Sequence, residues 1–215
     1  MPIAFFDMDK TLLKVSSGTE YVKWFALRGN VSLRELWDTL RISIAYKRGV
    51  MDFPDAMARM GHRIKNGSVE ATHQLSQQFF ESKLRPAVAP IAVARLRKHQ
   101  EDGDMVYMLT ASTQFVAEPV ARYLDIPYRC TVLETDGDCI TGAISGEPCF
   151  GTGKIHWARS VCDEQHASLT DAFFYTDSIN DLPLLEHVGH PVAVNPDRKL
   201  KRQAKLRNWP VAQFY

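Results

Sequence analysis

Pro2-Ile3-Ala4-Phe5-Phe6-Asp7-Met8-Asp9-Lys10-Thr11 decides the fold. The first five residues form an uncharged apolar run, the pattern of a strand buried on both faces of a parallel sheet. Two carboxylates, Asp7 and Asp9, follow at once. Such groups are costly at the end of a buried strand unless they hold a cation or perform chemistry. The run therefore predicts a core strand that delivers Asp7 at its C-terminal end; an Asp turn capping a strand is the bland alternative.

Working outward, similar runs recur. Met105 to Leu109 ends in Thr110, Ala172 to Tyr175 ends in Thr176-Asp177, and Pro191 to Val194 ends in Asn195. Helical patterns lie between them over 86–101, 113–124, about 152–165 and 179–187. Alternation of strand and helix predicts an α/β fold with a doubly wound parallel sheet. Residues 132–150 carry the turn signals Asp136-Gly137-Asp138, Thr141-Gly142 and Ser145-Gly146, which predict a β-hairpin.

Residues 14–85 differ in showing helical periodicity and almost no strand signal. Val22, Phe25 and Ala26 share one helical face. Leu33, Leu36, Trp37, Leu40 and Ile44 share another, opened by a Ser32/Glu35 capping box. Phe53, Ala56, Met57 and Met60 suggest a third helix, and Leu75 with Phe79 a fourth. The expected organisation is a core of residues 1–13 and 86–215, interrupted by a helical cap over 14–85. The cap would lie over the strand ends, where open α/β sheets place their ligands.

Charge follows the same division. The 215 residues carry 26 Lys+Arg and 25 Asp+Glu, a net +1 that speaks against a globally basic nucleic-acid binder. The near-neutrality is a cancellation: +5 over 14–85, −9 over 86–197 and +6 over 198–215. A chain of this length buries about 70% of its unfolded surface and needs no disulfide staples. The four cysteines form no C-x-x-C pair, so reduced thiols in a cytoplasmic protein are expected, without a zinc site. The start shows no basic, apolar signal-peptide pattern. Six of the ten residues from Arg198 to Arg207 are basic; Leu200, Ala204 and Leu206 give the expected terminal helix an apolar face. That helix packs on the core in the simplest reading. A membrane surface or nucleic acid as its partner is the sharper reading and is not favoured.

Several strand ends carry chemistry. Thr110 offers a hydroxyl, followed by the backbone N–H groups of Ala111 and Ser112, which suit an anionic oxygen. Lys154 opens a helix after Gly151-Thr152-Gly153, a loop that lacks the spacing of a nucleotide-binding P-loop. Asp177-Ser178-Ile179-Asn180-Asp181 adds two more carboxylates. Carboxylates converging on one sheet edge suit Mg²⁺, a hard ion bound by oxygens.

In the order and spacing of Asp7-Met8-Asp9-Lys10-Thr11, Thr110, Lys154 and Asp177 to Asp181, the sequence resembles the haloacid dehalogenase-like superfamily. It is similar to the subfamily IB branch that contains phosphoserine phosphatase, with a helical C1 cap. The resemblance implies a phosphomonoester hydrolase in which Asp7 attacks phosphorus and forms an aspartyl-phosphate. It implies Asp9 as general acid and then base, and Thr110 and Lys154 on phosphoryl oxygens. Mg²⁺ would be held by Asp7, Asp177 and the backbone carbonyl of Asp9. Asp181 would orient the metal shell or Lys154, and Asn180 would touch the phosphate. The carboxylate at Asp9 favours ester cleavage over dehalogenation, because a halide leaves without a proton whereas an alkoxide does not.

The expected substrate is a small phosphorylated metabolite. Phosphoserine phosphatases place a glutamate nine residues after the nucleophile, where this chain has Ser16, and an arginine where it has Met60. Glu20, Arg59 or Arg63 would have to substitute for phosphoserine to be accepted. Arg48, Arg59 and Arg63 are the cap candidates for anion binding, in keeping with the cap's positive balance. A lipid-phosphate phosphatase docked by the basic helix is an alternative. A phospho-accepting receiver-like module is another, against which the long helical insert and the Asp177/Asp181 pair speak. The oligomeric state is left open.

Overall fold

The computed structural model describes residues 1–28, 61 and 64–215. The expected helices around residues 32–60, with Arg48, Phe53, Arg59, Met60 and Arg63, lie outside the described residues.

Seven strands form one sheet in the order β4-β3-β2-β1-β5-β6-β7. They are β1 (Ile3–Phe6), β2 (Met105–Thr113), β3 (Tyr128–Asp136), β4 (Cys139–Ser145), β5 (Phe173–Thr176), β6 (His190–Val194) and β7 (Val211–Ala212). All pairings are parallel except β3–β4, the expected hairpin. Its tip is Asp136-Gly137-Asp138; Thr141-Gly142, read from sequence as a turn, lies inside β4 instead. Gly142 takes φ +85 there because the backbone of Gly61 presses against it, and a Cβ on Gly142 would meet Gly61 O at 2.8 Å. Neighbouring backbone continues this contact: Asn66 N–H donates to Ile140 O at 2.8 Å, and Ile140 N–H to Gly67 O at 2.9 Å.

The helices are α1 (Ser17–Ala26), α2 (Val69–Phe79), α3 (Pro90–Glu101), α4 (Gln114–Leu124), α5 (Gly153–Glu164), the short α6 (Leu182–Leu185) and α7 (Arg198–Arg207). Helix α7 has the bounds expected from its charge run, and Asp197 caps it by accepting from Leu200 N at 2.8 Å. Leu200 and Ala204 are buried, but Leu206 points to solvent; the apolar face is narrower than the sequence pattern suggests. No helix among the described residues is long and apolar enough to cross a membrane. The four cysteines are unpaired.

Strand β1 is fully buried and feeds both layers. Ala4 and Phe6 pack into one apolar cluster and Ile3 and Phe5 into the other, as the period-two alternation of a strand requires. Phe6 stacks on Tyr175 with ring centroids 4.4 Å apart, and Tyr175 shares a hydrogen bond of 2.8 Å with His99. These contacts hold β1 against β5 immediately before their functional ends.

Candidate active site

Strand register sets the site. Phe6 lies level with Met108 of β2 and with Tyr175 of β5. Asp7, Thr110 and Asp177 therefore emerge side by side, one or two residues further along. Beyond Asp7 the chain makes a single wide turn, in which Leu13 N–H reaches back to Met8 O at 2.9 Å. Lys10 adopts φ +54 within it, a left-handed conformation uncommon away from glycine. Wide turns of this i→i+5 type occur often at functional sites.

Lys154 arrives from the far end of the chain, on the first turn of α5. It is 2% exposed, and its Nζ lies 2.6 Å from Asp7 Oδ1 and 2.8 Å from Asp181 Oδ2. Its helix can come this close because residue 153 is glycine: a Cβ there would meet Pro148 O at 1.9 Å. Thr176 Oγ1 donates to the same Asp181 oxygen at 2.6 Å. Asp181 thus holds the lysine, one of the two roles expected for it from the sequence.

Asp9 faces the start of α1 and accepts from Ser17 N–H at 3.0 Å. Ser17 Oγ lies 3.0 Å from Ser112 Oγ, and Ser112 N–H donates to Thr110 Oγ1 at 3.2 Å. Asp177 lies 3.8 Å from Lys10 Nζ. Asp197 N–H donates to Asp177 O at 2.9 Å while the Asp197 carboxylate accepts from Ile179 N, tying α7 to the Asp177 loop. Tyr215 OH donates to Lys10 O at 3.2 Å. Asn180, expected at the phosphate, sits on the rim of this loop with its N–H on Ser178 Oγ.

Electrostatics matches the crowding. Burial raises Asp7 well above the usual carboxylate range; Lys154 opposes this, and Asp181 and Asp177 add to it. Asp177 is pushed up to about 7, first by burial, with Lys10 working against the shift and Asp181 reinforcing it. Asp9 is raised by burial, and Ser17 counters through both its N–H and its hydroxyl. For Lys154, burial favours the neutral form, but Asp181 and Asp7 more than reverse this and hold the ammonium firmly charged.

Asp7 and Asp181 thus pair with one buried lysine, and Asp9 and Asp177 add two further carboxylates at the same sheet edge, an excess of hard oxygens that suits Mg²⁺. Among the described residues no three Asp, Glu, His or Cys side chains converge as a metal cluster. The oxygens that could hold such an ion are the carboxylates of Asp7 and Asp177 and the main-chain carbonyl of Asp9.

The structure brings together Asp7, Asp9, Thr110, Ser112, Lys154, Asp177 and Asp181, with Ala111 between Thr110 and Ser112 on β2. Sequence reasoning missed Ser17, Thr176 and Asp197 as supporting residues. Asp197 before a basic helix carried an N-cap signal. Ser17 carried none, since its partners lie on other elements.

The profile of the family described as haloacid dehalogenase-like hydrolase matches residues 4–186. A histidinol-phosphatase of Neisseria meningitidis serogroup C is 30% identical over 99% of this chain and 98% of its own length. The phosphoserine phosphatase SerB1 of Mycobacterium tuberculosis is 29% identical over 98% of this chain and 70% of its own. The solved structure of a protein of unknown function from Bordetella pertussis Tohama I superposes with a TM-score of 0.90 at 30% identity, covering 100% of this chain and 99% of the other.

Proposed function

The chain belongs to the haloacid dehalogenase-like hydrolase family, and from that premise we propose that it is a Mg²⁺-dependent phosphatase acting on a small soluble phosphomonoester. The observation that carries the reading is Lys154, buried and within 2.8 Å of both Asp7 and Asp181. An ammonium locked beside a carboxylate at a sheet edge serves phosphoryl transfer, where positioning and electrostatics supply most of the catalysis.

Asp7 attacks phosphorus to form an aspartyl-phosphate, while Asp9 gives its proton to the departing oxygen and later takes one from the attacking water. Lys154, Thr110 and the N–H groups of Ala111 and Ser112 bind phosphoryl oxygens. Asp7, Asp177 and the Asp9 carbonyl would hold Mg²⁺, which would supply positive charge against the phosphoryl group. In this reading residues 14–85 are the cap, and Arg48, Arg59 and Arg63, which lie outside the described residues, are its anion-binding candidates.

Histidinol phosphate is the first substrate to try, because the histidinol-phosphatase of N. meningitidis matches this chain over 98% of its own length. Phosphoserine ranks lower because Ser16 cannot pair its ammonium as a glutamate would. The test is phosphate release from an aryl phosphate and from a panel holding histidinol phosphate, L-phosphoserine, sugar phosphates and lysophosphatidate. Activity abolished by EDTA and by Asp7→Asn is expected; full activity in that variant overturns the assignment.

A further inference from the structure

Ser17 is 2% exposed, at the first position of α1, and neither of its donors faces water. Its N–H donates to Asp9 Oδ1 and its hydroxyl shares a hydrogen bond with Ser112 Oγ, each at 3.0 Å. Ser112 closes the chain through its N–H to Thr110 Oγ1. One hydrogen-bonded line thus runs from Asp9 through Ser17 and Ser112 to Thr110, joining residues from the first loop, α1 and β2. A buried hydroxyl must find a partner. This one has two polar neighbours, and both lie beside groups to which the proposed reaction assigns work.

Resting on the reading of Asp9 as general acid, we infer that Ser17 and Ser112 are a positioning pair. Their hydroxyl pair fixes the start of α1, and with it the Ser17 N–H that holds the Asp9 carboxyl, relative to the phosphate-binding end of β2. Attack by an Asp7 oxygen forms a P–O bond as the ester P–O bond breaks. The proton on Asp9 passes to the departing ester oxygen, so the alcohol leaves neutral and Asp9 is left as carboxylate. That transfer demands a donor placed within hydrogen-bond reach of one oxygen. Asp9 alone, in a loop whose next residue has φ +54, has two free side-chain torsions. The N–H of Ser17 restrains one oxygen, and the serine pair sets where α1 stands with respect to Thr110. The same bridge joins the first helix of the proposed cap to the core at the point of proton transfer.

The inference is tested with leaving groups. A nitrophenyl phosphate releases an anion that needs no proton, whereas an alkyl phosphate releases an alkoxide that does. The readout is the ratio of kcat/KM for the aryl ester to that for the alkyl ester, with purified full-length protein and melting temperature as a folding check. Asp9→Asn is the reference and is expected to raise the ratio by about 10²-fold, the usual contribution of a general acid. Ser17→Ala and Ser112→Ala are each expected to raise it about tenfold, as for a catalytic group displaced by a fraction of an ångström. Ser17→Thr, which keeps the hydroxyl, restores the wild-type ratio. If Asp9→Asn leaves the ratio unchanged, the general-acid reading fails and the inference falls with it. If Asp9→Asn raises the ratio while Ser17→Ala and Ser112→Ala slow both esters equally, Asp9 stands and the positioning role of the serine pair is overturned. Should Ser17→Ala fold poorly, Ser112→Ala reads the same bridge from the core side.

Discussion

Lys154 Nζ lies 2.6 Å from Asp7 Oδ1 although 147 residues separate them in the chain. The contact is buried and shared with Asp181, so the lysine is the internal counter-charge of the site. Lys154→Met would leave two buried carboxylates facing each other without it. Breaking a buried ion pair from one side costs about 3–5 kcal/mol. A marked fall in melting temperature is expected, together with a loss of kcat/KM of at least about 10²-fold on any phosphomonoester. Lys154→Arg would not rescue, because a planar guanidinium does not fit a site shaped for a point charge. A Lys154→Met protein with wild-type stability and turnover would contradict this.

Stability of the metal-free protein should depend on pH in a defined direction. An aspartate in the unfolded chain titrates at about 4, whereas burial pushes folded Asp177 up to about 7 and also raises Asp7. Between those values the folded state holds more protons than the unfolded one. The contribution of these groups is therefore fully present below the unfolded value and is lost as pH rises through the folded one. Melting temperature in EDTA should fall between about pH 4 and 7. Added Mg²⁺ should raise it above that window, where the carboxylates are ionised, and have little effect near its acid end. A metal-free melting temperature that rises across this window would count against the site as described.

Gly153→Ala tests the approach of α5. The new methyl would meet Pro148 O at 1.9 Å, a backbone atom that cannot swing away. Helix α5 or the Pro148 turn must move, at an overpacking cost of about 1–3 kcal/mol. Because Lys154 is the next residue, turnover should fall about tenfold or more. Calorimetry and steady-state kinetics on the same preparation would separate the two effects.

Ser16→Glu tests the reading of substrate choice. Ser16 stands at the N-cap position of α1 without a side-chain capping bond, immediately before the serine that meets Asp9. A carboxylate there would offer the ammonium of phosphoserine a charge-assisted partner worth about 1.5–3 kcal/mol. The kcat/KM for L-phosphoserine should rise about tenfold relative to an aryl phosphate assayed in parallel. An unchanged preference would show that position 16 does not face the substrate's amino group.

Much of this was legible in the linear chain because it rests on local patterns. The apolar run ending at Asp7 had to be a strand buried on both faces, and the three similar runs had to share its sheet. The basic stretch 198–207 emerged as a helix with those bounds, and its N-cap Asp197 was in plain view. Thr141-Gly142 misled, since glycine signalled a turn where the structure uses it for close approach by Gly61. Leu206 misled because helical periodicity alone cannot tell how much of a face its neighbours cover.

By itself the sequence determined the α/β alternation and the carboxylates, threonine and lysine that end up at the sheet edge, since residue type and spacing are local properties. Only the tertiary structure decided which of them touch. That Asp181 holds Lys154, that Asp197 ties the Asp177 loop to α7, and that Ser17 joins Asp9 to Ser112 depend on strand register and on helices meeting across tens of residues. Such contacts leave no periodic trace in a chain, because a buried hydroxyl or carboxylate finds its partner in space rather than in sequence.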